Sequence, residues 1–273
     1  LPILNLGYQV RICSIGSGSK GNGTLIQTEH GCLLIDCGFG LKESIARIAE
    51  KKISLDQIKG VLVTHEHSDH GKGVGMLARK AGVPIYLSAG TYQALISREI
   101  LRNDDKVVIL SPEKPIPLIG LDVFPIPVPH DARETFQFIL KSESACFGLL
   151  TDVGSITPYL VESYAQCDVL FLEFNHDFDM LWDGPYPEAL KLRVGGYLGH
   201  LSNAQAIDFL KAINPHRLNT LVVSHVSEQN NDVALVDKLI RETINFGKKN
   251  FEDNSLIYAD QEFGCQWIVA EKK

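Results

Sequence analysis

The 273-residue chain has no C-x-x-C pair, no stretch of 18 apolar residues, no repeat, no low-complexity tract and no excess of positive charge. Each absence removes a class of protein. Its six cysteines (Cys13, Cys32, Cys37, Cys146, Cys167 and Cys265) are dispersed and sit in or beside apolar segments, so they read as buried free thiols rather than disulfides or a structural zinc knot. Without a long apolar run, or a basic region leading into one, the sequence predicts neither a membrane span nor a signal peptide, and a cytoplasmic protein is expected. Without a Pro/Gly/Ser-rich linker, residues 1–273 are read as one domain. Lys and Arg number 26 against 33 Asp and Glu, a net charge of -7. That balance argues against nucleic-acid binding through a generally positive surface. It leaves room for a metal-dependent nuclease, because bound cations restore positive charge where a phosphate would sit.

The segment Ser14–Thr24, SIGSGSKGNGT, places Gly16, Gly18 and Gly21 in the spacing G-x-G-x-x-G. A dinucleotide fingerprint requires a helix to follow, since the pyrophosphate rests on free N–H groups at a helix N-terminus. Here TLIQTEHGCLLID follows, which alternates and reads as a hairpin, so no dinucleotide is expected. Nor is the loop a Walker A motif, because Lys20 precedes Gly21 and Asn22. Beyond it, periodicity predicts strands near 8–15, 24–29, 31–36, 60–65 and 84–88, with helices over 41–52 and 72–82. Strands dominate from about 106 to 151, and a helix near 155–165 leads into the strand CDVLFLEF. Helices near 202–213 and 232–247 flank the strand NTLVVSH, and a terminal strand pair is expected near 255–269. Two similar halves of strands and helices imply two sheets face to face with helices outside.

The chemistry concentrates in GVLVTHEHSDHGKG, where a buried strand runs into His65, His67, Asp69 and His70. Residues i and i+2 of an extended segment point the same way, so His65 and His67 can grip one cation. After the chain turns, Asp69 and His70 can face a second. His30 and His216 have no partner at ligand spacing and are read as solvated.

This H-x-H-x-D-H cluster resembles the signature of the metallo-β-lactamase superfamily. The other motifs follow in order: Asp36 in LLIDCG, His130 in PVPHDA, Asp152 in GLLTDVG and His225 in LVVSHVS. The resemblance implies an α+β fold, a four-layer αβ/βα sandwich with two mixed β-sheets flanked by helices. It further implies two divalent ions, Zn or Mn, with His65, His67 and His130 on one and Asp69, His70 and His225 on the other. Asp152 would bridge them, a water or hydroxide would lie between them, and Asp36 would orient the ligands from behind. Asp69 would also guide the proton of that water.

The wider set SIGSGSKGNGT, LIDCG, THEHSDHGKG, PHDA, TDVG, LEFNHD, GHLSN and SHVSEQNND is similar to the YycJ/WalJ-like branch of that superfamily, from about residue 10 onward. That branch implies a 5'-to-3' exonuclease acting on double-stranded DNA, with a role in DNA repair. A small-molecule hydrolase of a thioester, lactone or cyclic phosphodiester is the enzymatic alternative, and a non-catalytic regulatory protein on the same fold is the other. In LEFNHD and GHLSN, His176 and His200 are candidate catalytic groups, and both, with Asn175, are candidate phosphate contacts. Asn230 and Asn231 are candidates for the wall of the site, with Asn231 expected to meet substrate. Ser202 is expected to cap the helix that follows. In the opening loop Ser17, Ser19, Lys20 and Asn22 are expected to cradle a phosphate. Lys20, Arg133, Lys191 and Arg193 are the cations expected to meet a DNA backbone.

Overall fold

The alternation of apolar and polar residues resolves into two sheets, each of seven strands among the described residues. The computed structural model describes residues 9–213, 218–243 and 255–269. The first half runs β1 (Arg11–Gly16), β2 (Gly23–Thr28), β3 (Gly31–Ile35), α1 (Leu41–Glu50), β4 (Ile58–Leu62), α2 (Ser68–Gly71), α3 (Val74–Ala81), β5 (Ile85–Leu87), α4 (Ala89–Ser97) and β6 (Val107–Ile109). The second runs β7 (Ile116–Leu118), β8 (Leu121–Pro127), β9 (Phe136–Lys141), β10 (Cys146–Leu150), α5 (Pro158–Tyr164), β11 (Val169–Glu173), α6 (Phe178–Asp183), α7 (Glu188–Val194), α8 (Asn203–Ala212), β12 (Thr220–Ser224), α9 (Val233–Thr243), β13 (Leu256–Tyr258) and β14 (Ile268–Val269).

Both sheets are mixed and have the same plan. In the first, of order β14-β1-β2-β3-β4-β5-β6, the pairs up to β2–β3 are antiparallel and those from β3–β4 onward are parallel. In the second, of order β13-β12-β11-β10-β9-β8-β7, β7 to β10 form antiparallel pairs and β10 to β13 parallel ones. Parallel pairs need helical crossovers, which puts helices on the outer faces.

Period-two alternation decides which core each side chain joins. On β11, Val169 and Phe171 face the core that also holds Leu25, Leu33 and Val61 of the first sheet, while Leu170 and Leu172 face the second core. That second core contains Leu160 of α5, Phe209 and Leu210 of α8, and Val236 and Ile240 of α9. The strand is therefore buried on both faces, which accounts for its unbroken apolar run. All six cysteines are buried, and among the described residues none is in a disulfide.

Several expectations need correction. The terminal strands do not pair with each other: β13 extends the second sheet beside β12, and β14 extends the first beside β1. Each covers a sheet edge that would otherwise expose unpaired backbone groups. Helices α4, α6 and α7 were not expected; at nine, six and seven residues they are too short to set a clear helical period. The strand expected over 60–65 ends at Leu62, so His65 and His67 stand in the turn beyond it. Residues 8, 216 and 244–247, included in the sequence reading, lie outside the described residues. Among the described residues no helix is long and apolar enough to cross a membrane.

Candidate active site

The site forms where strand ends of both sheets meet. Asp36 follows β3 directly, Asp152 lies two residues beyond β10, and His225 follows β12 directly. All three have left-handed backbones, with φ of 61°, 54° and 51°. Non-glycine residues adopt that region at a cost of about 1–2 kcal/mol each. The sharp turn it produces ends each strand and sends the side chain into the space between the sheets.

Asp36 holds this end of the first sheet together. Its Oδ1 accepts from the Thr64 N–H at 2.8 Å, and its Oδ2 accepts from the Thr64 hydroxyl and from His70 Nδ1, each at 2.8 Å. Because the Thr64 hydroxyl spends its proton on Asp36, it accepts from His65 Nδ1 at 3.0 Å. The protons of His65 and His70 are thereby fixed on Nδ1, and their Nε2 lone pairs turn inward. His130 Nδ1 donates to the Gly199 carbonyl at 3.1 Å, which leaves its Nε2 inward as well.

His65 Nε2 lies 3.0 Å from His67 Nδ1, and His130 Nε2 lies 3.3 Å from that same atom. Donors bound tetrahedrally at metal–nitrogen distances of 2.0–2.1 Å stand about 3.3 Å apart, so this spacing suits a shared cation. Burial pushes the His65 and His130 imidazoles down in pKa, toward the neutral form that a metal requires.

The second donor set comprises Asp69, His70, Asp152 and His225, whose ligating atoms all lie within 4.8 Å of one another. His70 Nε2 is 3.3 Å from Asp69 Oδ2 and 3.2 Å from Asp152 Oδ2, and His225 Nε2 is 3.6 Å from Asp152 Oδ1. Asp152 Oδ2 and His225 Nε2 are buried and have no hydrogen-bond partner. Such atoms are costly unless something positive lies between them. Burial works against charge on His70 and His225, but the carboxylates outweigh it, raising His70 strongly and His225 to about 10. A proton and a divalent cation therefore compete for one place. Imidazole nitrogen beside carboxylate oxygen suits such a cation.

The glycine loop buttresses this set. Asn22 Nδ2 donates to Gly18 O at 3.0 Å and lies 3.2 Å from Asp69 Oδ2, and Ser17 Oγ accepts from the His225 N–H at 2.9 Å. Both side chains are buried against the donors, so neither is placed to cradle an incoming phosphate. At Gly21, φ is 155° and a Cβ would stand 2.5 Å from the Phe39 ring. Glycine is used there for packing. Ser19 does line the cleft, while Lys20 points outward and pairs with Glu228 at 2.7 Å.

The cleft above the donors has a volume of about 400 Å³. Of the remaining expected residues, Asn175, His200, Arg193 and Asn230 line it. His176, Asn231, Arg133 and Lys191 do not. His176 is 2% exposed, because the residue after Asn175 in an extended segment faces the other way. Burial pushes its imidazole down to about 4. Asn231 is spent inside, exchanging hydrogen bonds with Asn203 and donating to the Phe174 carbonyl. Lys191 donates to the Trp182 carbonyl, and the Arg133 N–H donates to Glu66. Ser202 caps α8 and accepts from the Gln205 N–H.

Glu173, Arg98, Tyr186 and Ser68 are among the residues at the site that the sequence reading did not single out. Glu173, fully buried at the end of β11, accepts from the Val153 and Leu201 N–H groups and from His200 Nδ1 at 3.1 Å. Burial opposes its charge, yet the neighbouring His200 and His225 hold it down at about 2. The signal was a lone acid closing the apolar run VLFLE. Arg98 and Tyr186 also line the cleft, and nothing in their local sequence marks them.

The model for the beta-lactamase superfamily domain matches residues 32–225. The exodeoxyribonuclease WalJ of Streptococcus pneumoniae is 32% identical over 233 residues, spanning 83% of this chain and 84% of that protein. The exodeoxyribonuclease YycJ of Bacillus anthracis is 30% identical over 219 residues, spanning 80% and 82%. Among solved structures, the metallo-β-lactamase fold protein YhfI of Bacillus subtilis superposes with a TM-score of 0.73 at 15% identity, covering 96% of this chain and 99% of that one. With its donors gathered between two mixed sheets, the chain belongs to the metallo-β-lactamase superfamily of hydrolases, in the branch that includes WalJ and YycJ.

Proposed function

We propose that the protein is a phosphodiesterase holding two divalent ions, Zn or Mn, that removes nucleotides from the 5' end of duplex DNA. The observation that carries this reading is the buried, partnerless Asp152 Oδ2 and His225 Nε2 at the floor of a cleft lined by arginines. The likeness to two exodeoxyribonucleases over most of the chain supports it. His65, His67 and His130 would hold one ion and Asp69, His70 and His225 the other, with Asp152 shared. When bound, such ions supply Lewis acidity toward a phosphate oxygen and toward the attacking water.

The chain's own groups do the rest. Asp69 is held ionised: burial opposes its charge, but His70 and His225 beside it prevail. It presents an acceptor oxygen at the cleft floor for the proton of the attacking water. Glu173 accepts a hydrogen bond from His200 Nδ1–H, so that in the protonated ring the Nε2–H is the one passed to the departing oxygen, leaving the neutral Nδ1–H imidazole. Asn175, which lies 3.2 Å from the His225 carbonyl, fixes the neighbouring wall. The acidic total is outweighed locally by the cations, and binding weakens as salt rises.

The test is digestion of duplex DNA labelled separately at each 5' and 3' end, with Mn²⁺ or Zn²⁺ and with His67→Ala as control. Early release of labelled mononucleotide from the 5' end alone, lost in the variant, is expected. If the metal-loaded protein leaves both labels intact but hydrolyses a thioester, lactone or cyclic phosphodiester, the nuclease reading is wrong.

A further inference from the structure

We propose that Arg98 and Ser68 form a subsite for the 5'-terminal phosphate of a DNA end, an inference that rests on the nuclease reading above. Arg98 follows α4 and lines the same cleft as the metal donors. One of its guanidinium nitrogens donates to the Glu66 carbonyl at 2.7 Å. Glu66 stands between His65 and His67, so this bond sets the guanidinium at a fixed offset from two of the donors.

The charge on Arg98 is unspent. Among the described residues no carboxylate forms an ion pair with it, whereas Arg193, the other arginine in the cleft, is engaged by Asp131. The acids that line the cleft, Asp69 and Asp152, belong to the donor set. Arg98 therefore keeps N–H groups for a ligand, and the exposed Ser68 hydroxyl lines the cleft with it.

Size and charge select the ligand. A cleft of about 400 Å³ is near the small end of ligand sites, roughly 300–1,000 Å³, and suits a single nucleotide. The phosphate beyond the scissile one is then the chain end. A phosphate monoester carries about -1.5 to -2 charges at neutral pH, more than an internal diester, and an unpaired arginine fork favours it. Tyr186 lines the cleft from the second half of the chain and supplies an aromatic ring for the base between the two phosphates to stack on.

The experiment compares initial rates on one duplex bearing either a 5'-phosphate or a 5'-hydroxyl, using the Mn²⁺-loaded protein. The 5'-phosphorylated end should be cut about tenfold faster, the size expected for one hydrogen-bonded charge pair. Arg98→Met should bring the ratio of the two rates close to one, and Arg98→Lys should give an intermediate ratio, since it keeps the charge but loses the fork. Equal rates on both ends in the parent protein, or an unchanged ratio in a folded Arg98→Met, overturn the inference while leaving the nuclease reading intact. No cleavage of either duplex by the parent protein overturns both.

Discussion

Asp36 Oδ2 accepts the His70 Nδ1 proton at 2.8 Å, and both side chains are buried. The same carboxylate carries Thr64, which in turn fixes the ring of His65. One acid thus sets the tautomers of a donor in each of the two sets. Asp36→Ala should therefore lower the affinity for divalent metal by about 10–100-fold, the range typical of groups that orient ligands. Competition with a chromophoric chelator measures it, and an unchanged affinity would remove the role assigned to Asp36.

Gly38 is the tightest backbone contact at the site. A Cβ built there would lie 1.8 Å from the Asp69 carbonyl oxygen and 2.7 Å from the Asn22 nitrogen. Gly38→Ala must push α2 away from the glycine loop, shifting Asp69 and His70 together. Expected are a destabilisation of about 1–3 kcal/mol, the usual size for overpacking, and metal content below one ion per chain after dialysis. Denaturant unfolding and elemental analysis check the two separately. A variant with full stability and full metal content would show that the loop can yield without cost.

The candidate donors were legible in sequence because Asp152, His225 and His130 stand just beyond apolar strands, where a polar side chain has no reason to be buried unless it has work there, and the others crowd into the six residues HEHSDH. The two-sheet plan was legible for a similar reason, since strands such as VLFLE and TLVVS carry no polar face. What failed to show is what depends on contacts distant in the chain. Glu173 looks like the end of a strand until His200, 27 residues on, is seen against it. Ser17 and Asn22 read as exposed loop donors, and only the fold turns them toward His225 and Asp69. The terminal strands read as a pair because pairing between neighbours is the default, and the open edges of two separate sheets claimed them instead.

Removing metal should lower stability. The buried Asp152 Oδ2 and His225 Nε2 lack hydrogen-bond partners, and the carboxylates around His70 and His225 favour a positive charge in that place. Ligand binding confined to the folded state adds about 2.7 kcal/mol at a hundred times Kd. Thermal unfolding should show a lower midpoint after dialysis against a chelator and recovery when Mn²⁺ or Zn²⁺ is restored. A midpoint indifferent to both treatments would mean that the donors hold no cation.

The pairing of Glu173 with His200 predicts a separation of kinetic effects. Glu173 stays ionised across the working pH range, since its neighbours hold it down at about 2, so the parent protein keeps a fixed negative charge against His200 Nδ1. Glu173→Gln preserves shape and removes that charge. The turnover number should fall about 10–100-fold with little change in KM, because the ring is misoriented for proton delivery while the contacts to substrate remain. Metal content must be measured alongside, as Glu173 Oε2 also lies 3.7 Å from His225 Nδ1. A variant with full metal content and an unchanged turnover number would leave Glu173 a structural support rather than the group that positions His200 for catalysis.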